Sequence, residues 1–167
     1  MKNLFFCFLL FFAHSAFSTL PDQSNVRSLF KKAAKEEATC IELLSLLEKY
    51  NENNNPLLAG YKACATMMMA NYVFNPYTKL KNFSNGKDLL EKSIKIDNNN
   101  IELRFLRFSV QTNAPSFLNY NNSIQQDKLF LMESVIQIKS NELKQLIISF
   151  LASSDYLTSL EKQNLNL

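Results

Sequence analysis

Apolar residues recur along this chain at spacings of three and four, the period of one helical face, and short polar clusters interrupt them. In residues 25–50, Val26, Leu29, Ala33, Cys40, Leu44 and Leu47 fall on one stripe, flanked by Phe30, Ile41 and Leu43. Lys31, Lys35, Glu42 and Lys49 lie opposite. This predicts one long amphipathic helix with a single buried face. Residues 56–74 open on Pro56, a favoured first-turn residue, and are apolar almost all round, which predicts the central buried helix. Within it, Ala59, Ala63 and Ala70 make a small-residue strip that admits a close neighbour, and Leu57, Tyr61, Met68 and Tyr72 make a bulky side. Asn75-Pro76-Tyr77 stops that helix. Further helical patterns cover residues 82–96, the stretch from the Asn98 cluster to about residue 112, 123–139 and 141–152. Thr158-Ser159-Leu160-Glu161 reads as a capping box for a short terminal helix.

Asn53-Asn54-Asn55, Asn98-Asn99-Asn100 and the run around Asn119 and Asn122 separate these stretches. Asn competes for backbone hydrogen bonds and tolerates left-handed geometry, so such clusters mark turns and helix ends. Gly60 and Gly86 are the only glycines and there are four prolines, too few turn residues for an all-β fold. The expectation is an all-α fold of six to seven helices, arranged as stacked antiparallel pairs or as an irregular bundle.

The first eighteen residues have a different layout. Lys2 precedes an unbroken apolar run from Leu4 to Ala13, and Ala16-Phe17-Ser18 supplies small residues for cleavage. This is the pattern of a secretory signal peptide. The run is about half the roughly 20 residues a membrane span needs, so no stable span is expected. The reading is therefore residues 1–18 as signal, cleaved near Ser18, and residues 19–167 as one exported all-α domain, periplasmic or extracellular. A chain of about 149 residues buries enough surface to fold without staples.

Export changes the chemical inventory. Removing Lys2 takes the net charge from +3 to +2, with no clustered basic patch to suit nucleic acid. The lone histidine, His14, lies within the signal, and the chain has no Trp. Without imidazole there is no Ser-His-Asp or Cys-His pair and no base titrating near neutrality. Two cysteines without His fall short of the usual zinc set, and two isolated glycines make no phosphate-binding loop. No enzyme activity, no metal and no cofactor is expected. Met67-Met68-Met69 suggests a soft metal site or an adaptable binding surface, but consecutive helical positions point about 100° apart and cannot converge on one ion. Core filling is the better reading.

Cys7 also lies in the signal, leaving Cys40 and Cys64. They sit at similar distances from an Asn-rich turn, so a hairpin brings them to nearly one height. A disulfide is possible if the Cα atoms come within about 7 Å, and would contribute about 3 kcal/mol. The alternative is a pair of buried small hydrophobes.

The segment GKDLLEKSIKIDNNNIELRFL, starting at Gly86, resembles the end of one tetratricopeptide repeat and the start of the next. Gly86, Leu90 and Ser93 meet the small–large–small pattern, and Ile94-Lys95-Ile96-Asp97-Asn98-Asn99 stands where such repeats end, with Asn98 in place of proline. One repeat period of about 34 residues away, no second copy is found. The whole chain, including LRFLRFSVQTNAPSFL, also resembles a group of small exported all-helical proteins. The repeat resemblance implies stacked helix pairs offering a concave face to a protein or peptide.

The stretch after the Asn98 cluster carries the candidate site. Apolar residues cover most of its wheel and leave Arg104, Arg107 and Gln111 on one narrow stripe. Adjacent guanidiniums repel unless an anion lies between them, and Arg grips a carboxylate bidentately. That anion is a ligand's carboxylate, a phosphate, a partner's C-terminus or one of the protein's own Glu or Asp residues, unless both arginines face water. Phe117 and Tyr120 follow in a loop, either exposed for contact or packed into the core. The leading expectation is a non-enzymatic module that binds a protein or peptide of the cell envelope. The alternative is a binder of a small anionic or amphipathic ligand near Arg104, Arg107 and Tyr120.

Overall fold

The computed structural model describes residues 20–165, and the expected signal peptide lies outside the described residues. Eight α-helices follow in order: α1 (Gln23–Ala33), α2 (Glu37–Leu46), α3 (Pro56–Met68), α4 (Pro76–Ile96), α5 (Ile101–Asn113), α6 (Ile124–Ser134), α7 (Asn141–Ser153) and α8 (Ser159–Asn164). Among the described residues there is no strand, and no helix is long and apolar enough to cross a membrane.

The asparagine clusters act as expected. Asn55 accepts from the Leu58 N–H at 3.0 Å, Asn75 from Tyr77 and Thr78, and Asn100 from Glu102 and Leu103, capping α3, α4 and α5. Each cap satisfies N–H groups that a helix start leaves without partners. Asn119 takes the left-handed conformation, with φ 48°. Thr158 and Glu161 form the reciprocal capping box of α8.

The helices number eight instead of six to seven, and several boundaries differ from the sequence expectation. The helix expected over residues 56–74 leaves α geometry after Met68, through a 3₁₀ turn at Met69–Asn71. The single helix over residues 25–50 is two, because Glu36 is extended (φ −132°, ψ 111°) and caps α2 instead of continuing α1. The reason is periodicity: after Ala33 an unbroken helix would turn Glu36 and Glu37 onto the buried stripe. The break also shifts the phase, so Leu43 rather than Leu44 joins Cys40 and Leu47 in the core. At Asn75-Pro76 the same residues that end one helix cap and start the next, so α4 begins six residues earlier than expected. The helix expected to reach residue 139 leaves α geometry after Ser134, through a 3₁₀ turn at Val135–Gln137.

Helices α1 and α2, α3 and α4, and α5 and α6 pack as consecutive pairs, and α1 touches α3, α3 touches α5, and α5 touches α7. One continuous core joins them, running from Val26 through Cys64, Leu103 and Ile147 to Leu157. At the close seam between α3 and α4, Gly86 faces Ala63 of the small-residue strip. A Cβ at Gly86 would lie 2.5 Å from the Ala63 carbonyl oxygen and 2.5 Å from Met67 Cγ. Only glycine allows this approach.

Candidate functional site

Four of the five candidate residues are buried in polar networks that hold α5 in place. Arg107 Nε and Nη2 donate to the two Asp127 carboxylate oxygens at 2.7 and 2.8 Å, and its Nη1 donates to Glu91 Oε2 at 2.9 Å. Arg104 Nε donates to Asp127 Oδ1, its Nη1 donates to the Asn98 carbonyl, and its guanidinium lies 4.6 Å over the Phe130 ring. The anion between the two arginines is thus Asp127 of α6, itself fully buried. Gln111 bridges to Asn122 and accepts from the Ser123 N–H, tying α5 to the start of α6. Tyr120 is buried, with its hydroxyl donating to Glu91 and its ring edge-on to Phe83. Burial first, then the Glu91 partner, holds that hydroxyl far above the usual tyrosine range. The recess beside the arginines, about 470 Å³, is lined by polar residues including Lys95, Asn99 and Gln126.

A second network on the other flank of α5 was not anticipated. Glu102 accepts from Arg27 Nε at 2.7 Å and Nη2 at 2.8 Å, and from the Tyr61 hydroxyl. Arg27 also reaches Glu142 at 3.4 Å. The hydrogen bonds that Arg27 donates to Glu102 raise the Arg27 pKa, while burial and then the Glu102 charge push the Tyr61 hydroxyl up. Tyr61 is therefore a neutral donor. The four residues come from α1, α3, α5 and α7. The sequence signal was available: Glu102 shares its face with Phe105, Leu106 and Ser109, all buried, as Asp127 shares one with Ile124 and Leu131. A carboxylate on an apolar stripe needs a buried cation. Among the described residues, every fully buried side-chain nitrogen or oxygen has a partner.

Cys40 and Cys64 are unbridged. The α2–α3 hairpin does align them, since the Cys40 thiol donates to the carbonyl of Ala65 at 3.3 Å. Burial pushes the Cys40 thiol up to about 11, and Cys64 higher still, which disfavours the reactive thiolate of both. Among the described residues, no group of three or more His, Cys, Asp or Glu could hold a metal.

Phe117 is the exception among the five. It is 78% exposed and stands on a groove of about 720 Å³ that receives side chains from α1, α3, α4, α5, α7 and the loop after α5. Phe105, Val110 and Phe150 form part of its lining, Met67 and Met68 another part, and Leu80 and Phe83 of α4 a third. Leu80 is 52% exposed. Met67 fills the core while Met68 is half-buried, so the methionine run serves both packing and groove lining. The five candidates therefore do not form one site, and the open apolar surface carries only Phe117 of them. No family model matches the chain, and neither a curated protein nor a solved structure matches it.

Proposed function

We propose that this protein is a non-enzymatic, exported helical module that docks a segment of a partner protein in the groove carrying Phe117. The observation that carries this reading is the exposure of Phe117 and Leu80 beside a wide apolar cleft. Large apolar residues left in water on a concave surface usually mark an interaction site. The architecture we propose is a short stack of helix pairs of tetratricopeptide type. Its support is the succession of contacts from α1 to α3, α5 and α7 beside the consecutive pairs. The groove draws on all four of them.

The ligand-binding alternative near Arg104, Arg107 and Tyr120 gains no support, because Asp127 and Glu91 already neutralise both guanidiniums. Affinity purification from the exporting cells tests the docking reading. Leu80→Gln with Phe117→Gln should lose the co-purifying partner by more than tenfold, since a central apolar anchor is worth about 2 kcal/mol or more. Ile136→Gln, at an exposed apolar residue outside the groove, should retain it. Equal retention by both variants would end the proposal.

A further inference from the structure

The groove's occupant can be narrowed by its charge and its openness, and this step rests on the docking reading above. Among the described residues that line it, the only charged side chains are Lys31 of α1 and Lys79 of α4, and there is no carboxylate. Both lysines are exposed, and the ammonium group of neither forms an ion pair or hydrogen bond with a described residue. Of the other polar lining residues, Ser109 Oγ donates to Leu106 and Asn113 Nδ2 to Ser109 within α5, and Asn71 is exposed. Among the described residues there is no strand edge on which an extended peptide could pair. An occupant whose backbone hydrogen bonds are internal is therefore favoured.

Two occupants meet that condition, a hydrocarbon chain and an α-helix. Openness separates them. Sites for small ligands bury some 70–90% of the ligand, whereas Phe117 and Leu80 leave this cleft wide to solvent. A helix about 10 Å across rises 1.5 Å per residue, so 720 Å³ accommodates the apolar half of roughly 12 residues. We infer that the groove takes an amphipathic α-helix of a partner protein, with its apolar stripe on the Met67, Phe83 and Phe117 surface and acidic residues at its flanks facing Lys31 and Lys79. The lysines act at the rim, where charge sets partner choice and encounter rate.

Two synthetic helices with one Leu/Phe stripe, one flanked by Glu and the other by Lys, test this by fluorescence anisotropy against the purified protein, with dodecanoate as a third probe. The acidic helix should bind about tenfold more tightly at low salt, and its advantage should shrink as salt rises. Lys31→Glu with Lys79→Glu, both at exposed positions, should reverse the preference. Equal binding of both helices, abolished by Phe117→Gln, would overturn the acidic assignment and leave the docking surface standing. Binding of neither helix would overturn both. Binding of dodecanoate alone would overturn the helical occupant.

Discussion

Replacing Asp127 with Ala should lower the unfolding free energy by about 3–5 kcal/mol, because it strands two buried guanidiniums side by side. The carboxylate is fully buried and takes bonds from both Arg104 and Arg107, whose side chains are 9% and 8% exposed. For a chain of this size that loss corresponds to about 6–20 °C in Tm, and calorimetry reads it directly. Glu91 softens the effect for Arg107 alone, through its Nη1 contact at 2.9 Å. Replacing Arg104, Arg107 and Asp127 together with apolar residues of similar volume should recover most of the lost stability, since desolvating an ion pair offsets much of its attraction. If Asp127→Ala matched the original protein within 1 kcal/mol, the buried triad would not be a structural element.

The second large effect is expected at Glu102. Glu102→Ala removes the bidentate partner of Arg27 and the acceptor of the fully buried Tyr61 hydroxyl. Its cost should be about 3–5 kcal/mol, most of it from leaving Arg27 with only the half-exposed Glu142 as counter-charge. Glu102→Gln keeps an acceptor for Tyr61 but drops the charge, so it should fall between Ala and the original residue. Denaturant midpoints for the two variants separate the contributions. Equal losses would mean that the hydroxyl contact adds nothing. Because this network spans α1, α3, α5 and α7, and the Asp127 network joins α5 to α4 and α6, α5 is fixed against both sets of neighbours. We take the placement of the groove walls to depend on that register.

Much of the fold was legible. Spacing at three and four residues located most of the helices, and Asn55 and Asn100 announced their starts through side-chain caps that need no tertiary context. The small strip in residues 56–74 foretold the close approach that Gly86 completes. Less accessible were features decided by phase. Treating residues 25–50 as one stripe hid the conflict at Glu36 and Glu37, where continuing the helix would bury two carboxylates. Asn75-Pro76 carried a stop signal and a start signal at once, and only the first was read. For the site, helical spacing brought Arg104 and Arg107 together and allowed for an anion between them. Which anion is a tertiary question, answered by Asp127 about one helix later in the chain. The groove had no local signature, because Phe30, Met67, Leu80, Phe117 and Phe150 belong to separate segments and meet only when the helices stack.

The central claim, that this groove docks a partner, is most directly tested by position-specific photocrosslinking in the cells that produce the protein. A benzophenone side chain is placed in turn at Phe117 and Leu80 within the groove, and at Ile136 and Leu160 outside it. All four positions are exposed, at 78%, 52%, 68% and 67%, so each variant should fold and reach water equally well. The same discrete adduct is expected from Phe117 and Leu80, with none from Ile136 or Leu160. Adducts of equal yield from all four positions, or adducts only from Ile136 and Leu160, would contradict the account.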